Sequence, residues 1–321
     1  MAHLMIFATL FGSPHKVLPP TARFDVASLA TALLVLALLA LGCSSPPPSP
    51  APAPGAPAPQ RVVCLTPSST ELVAALGAVA LVVGVDEYSR YPREVHGLPK
   101  VGDFVAPNLE AILALHPDIV VADSAQKQIA PRLQQAKITT LFVDMQTIGD
   151  VRAALLEVGR ALVRKPAAEA AILLLDRALS DAAGRASAGV ARTGRRPRVL
   201  FVVDRQAGGL ASVVAAGPGS YLDELLTLAG GDNVLADAPM RYVPITAEVI
   251  VARAPEVLLD ASHVEDPARA RADWSVLASV PAVATGRVYL LDDAAAVTPG
   301  PRLGAVLARL VDLLWGPPAP G

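Results

Sequence analysis

One sequence pattern occurs twice in this chain and constrains its fold more than any other feature. The segment NLEAILALHPDIVV, which begins at Asn108, returns 138 residues later as TAEVIVARAPEVLL, which begins at Thr246. Each copy predicts a short helix with a glutamate near its start, then a proline that ends the helix, then an apolar run typical of a buried parallel strand. The duplication therefore predicts an α/β fold with two similar lobes.

Two like lobes with a cleft between them are a common way to bury a small ligand from both sides. Between the two copies, apolar residues recur every three or four positions from Gly149 to Val190, and Lys165-Pro166 divides this stretch into two helices. The second helix, about 25 residues and roughly 37 Å long, is expected to act as a rigid strut between the lobes. The duplication favours ligand binding over catalysis.

The first 42 residues have the features of a secretory signal peptide. An apolar stretch, 26–42, follows Lys16 and Arg23 and ends at Gly42-Cys43. A small residue before a cysteine suits a lipoprotein signal peptidase, so Cys43 is the predicted lipidation site, and an uncleaved membrane anchor is the alternative. Residues 44–60 are almost all serine, proline, alanine and glycine, the composition of an extended tether. We expect an exported protein, lipid-anchored to a membrane and facing the periplasm or the cell surface.

These patterns give a complete domain prediction. It comprises a signal peptide (1–42), a lipidated cysteine with a Pro/Ala-rich tether (43–60), an N-terminal α/β lobe (61–147), a helical connector (148–192), a C-terminal α/β lobe (193–316) and a tail (317–321). The second cysteine, Cys64, lies in a strand-like run and is expected to be a buried packing thiol without a disulfide partner.

Several function classes lack support in the sequence. The formal net charge is −2, and no basic face with interleaved aromatic residues occurs, which argues against nucleic acid binding. Beyond the leader, His96, His116 and His263 are far apart, so no metal site is expected. The chain has no nucleophile elbow, Walker A or G-x-G-x-x-G motif. We therefore predict no cofactor and no catalysis, with an enzyme as the residual alternative.

Aromatic residues are scarce after the tether, and several lie in predicted loops. Flat ligands are held by aromatic faces with a few polar contacts, so these residues are candidates for the lining of a cleft. The alternative for each is that it anchors its loop to the core, and this alternative is favoured for the tyrosine that precedes Pro92. The candidates are Tyr88, Tyr91, Phe104, Tyr221 and Tyr242.

Two glutamates, Glu110 and Glu248, occupy the same position in the two copies of the repeat. A glutamate near a helix N-terminus stabilises the helix by about 0.3 to 1 kcal/mol. One carboxylate on each lobe would also form a two-point docking surface for a partner that carries basic groups. The residues alone leave both interpretations open.

Several motifs of this chain resemble the periplasmic cobalamin-binding proteins of ABC importers. The resemblance runs through essentially the whole mature chain and implies the fold of class III substrate-binding proteins, two Rossmann-like lobes joined by a long rigid interdomain helix. Ferric siderophore and haem carriers share this fold and the two glutamates. The motifs are RVVxLxPxxTE from Arg61, VGVxxYSxYP from Val83, VGxF from Val101, PNLE from Pro107 with Pro117-Asp118, GGxN from Gly230 and PGPR from Pro299.

The resemblance also implies roles for individual residues. Tyr88, Phe104 and Tyr242 would line a corrinoid cleft, with Tyr221 and Arg302 as further ligand-binding candidates. Glu110 and Glu248 would meet arginines of the membrane permease. The implied function is a monomeric substrate-binding lipoprotein that delivers a corrinoid such as cobalamin to an ABC permease with its ATPase subunits.

One departure from the family pattern bears on the ligand. Many relatives have an arginine immediately before PGPR, where this chain has Thr298. A ferric siderophore or haem therefore remains the alternative ligand, and Tyr88 would be the candidate haem-iron ligand.

Overall fold

Parallel strands from two stretches of the chain build two separate sheets, as the repeat predicts. The computed structural model describes residues 58–206, 209–262 and 267–316. By their contacts, residues 49–321 form one unit that contains both sheets. The predicted signal peptide, Cys43, nearly all of the predicted tether and the tail lie outside the described residues.

The N-terminal lobe is built on a four-stranded parallel sheet of order β2-β1-β3-β4. The β-branched runs of β1 and β3 are buried along almost their whole length, as expected for strands covered on both faces. The strands are β1 (Val62–Cys64), β2 (Val82–Val85), β3 (Ile119–Asp123) and β4 (Thr139–Val143), and the helices are α1 (Pro67–Ala75), α2 (Leu109–Ala114) and α3 (Ala130–Gln135).

Two helices connect the sheets, α4 (Ile148–Ala161) and α5 (Lys165–Thr193). The α4 helix begins at a reciprocal cap between Thr147 and Asp150, and α5 carries its proline in the first turn, where no backbone donor is needed. At 29 residues α5 is longer than expected and spans about 43 Å. Among the described residues, no helix is both long and apolar enough to cross a bilayer.

The C-terminal lobe has a six-stranded mixed sheet of order β10-β9-β5-β6-β8, with β7 beside β5. β6 is antiparallel to both β5 and β8, and the other strand pairs are parallel. The strands are β5 (Arg198–Arg205), β6 (Val213–Ala216), β7 (Asp232–Asn233), β8 (Tyr242–Ile245), β9 (Val257–Asp260) and β10 (Val288–Leu290). The helices are α6 (Tyr221–Leu228), α7 (Ala247–Arg253), α8 (Pro267–Ser275), α9 (Pro281–Ala284) and α10 (Leu303–Trp315).

One predicted loop of this lobe is a strand. Residues 239–244 were expected to form a loop, but Tyr242 is the first residue of β8, which pairs with β6 through Ala216. The strand tolerates Pro244 because it lies at the edge of the sheet, where a missing backbone donor leaves no neighbouring strand unpaired.

The same carboxylate–backbone hydrogen bond occurs at the base of each lobe. In the N-terminal lobe, the Asp118 carboxylate accepts the backbone N–H of Arg61 at 2.9 Å, next to the first strand. In the C-terminal lobe, the Glu256 carboxylate accepts the backbone N–H of Arg198, the first residue of β5, also at 2.9 Å. The acidic residue after the proline of each repeat thus joins the start of one strand to the start of another.

The turn that precedes each of these acids is also the same. His116 and Ala254, which directly precede the two prolines, both have φ of 44°, a left-handed conformation that residues other than glycine rarely adopt. Because the same strained turn occurs in both copies, the sequence repeat corresponds to a repeat of backbone structure. The prediction of two similar α/β lobes is confirmed.

A single hydrophobic core continues from one lobe to the other through the helices. Buried residues of β1, α4, α5, β5 and α10 belong to one cluster, which includes Val62, Leu155, Leu175, Phe201 and Leu307. The opposite face of each sheet has a smaller core of its own. Since α4 and α5 are part of the shared core, the connector is packed against both lobes.

Cys64 lies in β1 with no exposed surface, and burial raises the pKa of its thiol to about 12. At pH 8 the reactive thiolate would then be on the order of one molecule in 10,000. We expect the 49–321 protein, in which Cys64 is the only cysteine, to resist a thiol reagent at pH 8 and to react fully once unfolded in urea. Rapid reaction without denaturant would contradict the burial of β1.

Candidate functional site

The carboxyl ends of the N-terminal lobe's parallel strands lie at one edge of its sheet, and this edge faces the C-terminal lobe. Backbone contacts cross between the lobes here. The N–H of Tyr221, at the start of α6, donates to the carbonyl of Gln146 at 2.7 Å. The N–H of Ile148 donates to the Glu224 carboxylate, also at 2.7 Å. Loops that follow parallel strands are where α/β sheets bind ligands.

The loop after β2 holds Tyr88 outward. The residue is 62% exposed, while its backbone N–H donates to the Asp86 carboxylate at 2.9 Å. Asp86 is itself buried, which raises its pKa, and it accepts the hydroxyl of Ser89. The Lys100 ammonium donates to the carbonyls of Asp86 and Ser89 at 2.9 and 3.1 Å. The backbone of this loop is fixed, and the tyrosine face is left free.

Phe104 is presented in a similar way. The residue is 44% exposed, and its carbonyl accepts the side-chain amide of the buried Gln126 at 3.0 Å. Gly102 has φ of 91°, and a Cβ there would lie 2.5 Å from the carbonyl oxygen of Ala106, so the turn requires glycine. The tight turn directs Phe104 and the 82% exposed Val105 to the surface.

Tyr242 lies in the opposite wall. Burial raises the pKa of its phenol, Arg241 opposes the shift, and the charge of Asp123, at the end of β3 in the other lobe, adds to it. A pocket of about 590 Å³ is lined from the C-terminal lobe by Pro218, Gly219, Pro239, Met240, Arg241 and Tyr242 and from the N-terminal lobe by Gln146.

Tyr221 lies at the start of a helix and not in a loop. Ser220 caps α6 by accepting the N–H of Asp223 at 3.2 Å, and Tyr221 is the first helical residue. Its ring points inward and the residue is only 2% exposed. Burial raises the pKa of its phenol well above the usual value, with further contributions from Tyr242 and Glu71. Tyr221 thus belongs to the core beside Tyr242 and offers a ligand almost no surface.

Arg302 is engaged with protein groups in the structure. Its Nε and Nη2 donate to the two carboxylate oxygens of Glu71 at 3.0 and 2.5 Å, and its guanidinium lies 4.3 Å from the centre of the Tyr91 ring. Glu71 thus uses two of the five N–H donors of Arg302, and the Nη1 lies 3.6 Å from the Asp293 carboxylate, so a direct contact between Arg302 and a ligand stays a prediction. Thr298 is buried, and its hydroxyl donates to the carbonyl of Ala294 at 2.8 Å.

The contact between Glu71 and Arg302 was not predicted from the sequence. Its only sequence signal was a glutamate inside an otherwise apolar and hydroxyl-rich helix segment, between Thr70 and Leu72.

Glu110 and Glu248 are the second residues of the equivalent helices α2 and α7, and both side chains are exposed. Asn108 caps α2 by accepting the N–H of Ala111 at 3.0 Å. A hydrogen bond from the Thr246 hydroxyl lowers the pKa of Glu248. Within 58–206, 209–262 and 267–316, neither glutamate forms a salt bridge. Both carboxylates can therefore pair with a partner molecule.

Asp123 is the last residue of β3, Asp144 directly follows β4, and the charge of Lys127 acts on Asp123 as well. Burial raises the pKa of Asp123, a hydrogen bond from the backbone of Ala125 opposes the shift, and the nearby charge of Asp144 adds to it. On the other wall, the Arg241 guanidinium donates to the carbonyl of Gly219 at 2.8 Å. In the described part of the chain, no three metal-ligating side chains come together.

Comparison with known proteins identifies the family. A family model described as periplasmic binding protein matches residues 62–295, which is most of the chain. The chain belongs to the periplasmic binding protein family. Its members are exported substrate-binding components of ABC transporters and not enzymes.

Individual relatives differ in the ligand that they are named for. The chain is 29% identical over 226 residues to a vitamin B12-binding protein of Salmonella paratyphi A, which covers 70% of this chain and 80% of the relative. It is 29% identical over 263 residues to an uncharacterized ABC transporter substrate-binding lipoprotein of Bacillus subtilis, with 80% of each chain covered. A periplasmic heme-binding protein of Pseudomonas aeruginosa has the same fold, with a TM-score of 0.72, 29% identity, and coverage of 80% of this chain and 93% of that one.

Proposed function

We propose that this protein is the substrate-binding lipoprotein of an ABC importer and that it binds a corrinoid, cobalamin or a close relative, between its lobes. It delivers the ligand to a membrane permease with its ATPase subunits and catalyses no reaction. Cys43 carries the lipid anchor, and residues 61–147, 148–192 and 193–316 are the N-terminal lobe, connector and C-terminal lobe. The relative named as a lipoprotein and the relative named for vitamin B12 support this proposal.

The observation that carries the proposal is the combination of aromatic and acidic groups around the cleft. Tyr88 and Phe104 expose ring faces from one lobe, and Tyr242 lies on the other, so a flat ligand meets aromatic surface on both sides. Asp123 and Asp144 supply acceptors for hydrogen-bond donors. A corrinoid carries neutral amide side chains that donate to carboxylates, so it suits this wall.

Haem is the second candidate, and one observation favours it. The exposed phenol of Tyr88 is a group that can bind ferric iron, and a heme-binding protein has the same fold at 29% identity. Against it, haem carries two propionates, which Asp123 and Asp144 would repel. Arg302 is already paired with Glu71, which leaves Arg241, in the lining of the pocket, to meet a propionate.

Isothermal titration of the 49–321 protein with cyanocobalamin, cobinamide and haemin separates these ligands. We expect one-to-one binding of cyanocobalamin with a submicromolar dissociation constant. Binding of haemin with no detectable binding of either corrinoid would overturn the corrinoid assignment and make Tyr88 the candidate iron ligand. Bovine albumin titrated with haemin under the same conditions controls for haemin aggregation.

A further inference from the structure

An ion pair joins the two lobes at the cleft. Glu71 lies in α1 of the N-terminal lobe, and Arg302 directly precedes α10 of the C-terminal lobe, 231 residues later. Two parallel hydrogen bonds connect the guanidinium fork to the carboxylate, the geometry that makes arginine–carboxylate pairs strong and directional. The side chain of Glu71 is 3% exposed and that of Arg302 is 25% exposed.

The surroundings of Glu71 make this pair hard to replace. Burial raises the pKa of the Glu71 carboxyl, and Arg302 opposes that shift by hydrogen bonding and charge. A Cβ added to Gly300 would lie 3.2 Å from the Glu71 Oε2, so the backbone before Arg302 closes tightly over the carboxylate. Loss of Arg302 leaves the buried Glu71 carboxylate without its partner, which is more costly than the loss of an exposed pair. Arg302 without Glu71 keeps the Asp293 carboxylate at 3.6 Å.

The same arginine holds the loop that carries Tyr88. The Tyr91 ring lies 4.3 Å from the guanidinium carbon, within the range of a cation–π contact. Tyr91 follows Tyr88 by three residues, and between them the Ser89 hydroxyl is 2.8 Å from that of Thr70, on the same helix as Glu71. The loop is thus fixed against α1 on one side and against Arg302 on the other.

A second attachment lies elsewhere along the boundary between the lobes. It consists of the contacts of Gln146 with Tyr221 and of Ile148 with Glu224, where β4 leads into α4. Together with the core that the lobes share through α4 and α5, these two attachments restrain the angle between the lobes. Only the Glu71–Arg302 attachment relies on two charged side chains.

We propose that Arg302 is a positioning residue for ligand binding. Through Glu71 it fixes the separation of the lobes, and through Tyr91 it holds the Tyr88 loop at the cleft. We call Glu71, Arg302 and Tyr91 the interlobe tie. The effect on ligand affinity rests on the proposed function, whereas the effect on lobe separation does not.

Spin labels on the two lobes test the tie directly. We would place cysteines at the exposed Gln134 in α3 and Ala252 in α7 of the 49–321 protein, since the buried Cys64 is not expected to take a label. The distance distribution between labels should be narrow in the parent protein and broader or shifted in Arg302→Gln. Arg309→Gln is the matched control, because Arg309 lies on α10 and its pair with Asp292, at 3.0 Å, is exposed.

A second variant distinguishes the loss of the interlobe tie from misfolding of one variant. Glu71→Gln keeps the shape of the side chain and removes its charge, and its distance distribution should change in the same direction as that of Arg302→Gln. Circular dichroism melts would confirm that each variant is folded at the temperature of the measurement. Distributions for both variants that match Arg309→Gln would overturn the tie.

The ligand measurement tests the positioning of Tyr88. In Arg302→Gln, the dissociation constant for cyanocobalamin should rise about tenfold, equivalent to about 1.4 kcal/mol, with no change in Arg309→Gln. Altered lobe distances with unchanged affinity would overturn the positioning role. If the parent protein binds no corrinoid, the proposed ligand fails, while the distance measurement still decides whether the tie exists.

Discussion

The double charge reversal Glu110→Lys/Glu248→Lys is expected to abolish ligand uptake in cells and to leave the affinity of the purified protein for its ligand unchanged. Both carboxylates are exposed, both are the second residue of equivalent helices, and neither has a salt-bridge partner in the described part of the chain. On a permease with basic groups at the matching positions, two lysines convert attraction at both lobes into repulsion. This repulsion lowers the rate of association and disturbs the alignment of the binding protein on the permease.

The folded state should tolerate this change. A lysine near a helix N-terminus forfeits about 0.3 to 1 kcal/mol relative to glutamate, a small fraction of the stability of a domain of this size. Glu94→Lys/Asp181→Lys is a matched control, since both residues are exposed and the total charge change is the same. Cells with the Glu94→Lys/Asp181→Lys variant should take up the ligand normally.

Uptake of labelled cobalamin by cells that lack their own binding protein measures the first effect, and titration of purified protein measures the second. Reduced affinity in the glutamate double variant would place the two carboxylates in the cleft instead of on the docking surface. Normal uptake would leave them with only their role at the helix N-termini.

The sequence predicted those features of the fold that depend on local pattern. The two copies of the repeat predicted two lobes because each combines a helix, a proline and a strand within fourteen residues. The equivalent hydrogen bonds of Asp118 and Glu256 show that the structure repeats as well. The burial of the Cys64 thiol also follows from its immediate neighbours in the sequence.

The parts that sequence reasoning missed depend on pairing between distant residues. Tyr242 was assigned to a loop, but it begins β8, and the position of β8 at the sheet edge permits Pro244 inside that strand. Likewise, the inward direction of Tyr221 depends on how α6 packs. No local pattern signals a contact between Glu71 and Arg302, because their 231-residue separation is bridged only when both lobes have formed.

The same limit applies to the candidate site. Exposure of Tyr88 and Phe104 was foreseeable, since their loops are rich in polar residues and turn formers. Whether an aromatic residue serves a ligand or the core was not, because both functions use the same side chain. Tyr221 is the first residue of a helix and Tyr242 is the first residue of a strand. Only the structure shows that Tyr221 is buried whereas Tyr242 is partly exposed.

Replacement of Tyr242 by alanine is expected to weaken ligand binding by about tenfold to a hundredfold. Burial of one large apolar side chain against a ligand contributes about 1.5 to 3 kcal/mol, and each 1.4 kcal/mol is a factor of ten in the dissociation constant. Because Tyr242 opens an edge strand and is only partly buried, the variant should remain folded. Titration with cyanocobalamin, alongside a thermal melt, measures both effects.

Tyr242→Phe separates the ring from the hydroxyl. Burial raises the pKa of this phenol above its usual value near 10, so the group stays neutral from pH 6 to 9 and should add no pH dependence to binding in that range. If stacking on the ring carries the interaction, the phenylalanine variant binds like the parent protein and only the alanine variant fails. A loss of similar size in both variants would assign the contact to the hydroxyl, and full affinity in Tyr242→Ala would mean that the ring faces away from the ligand.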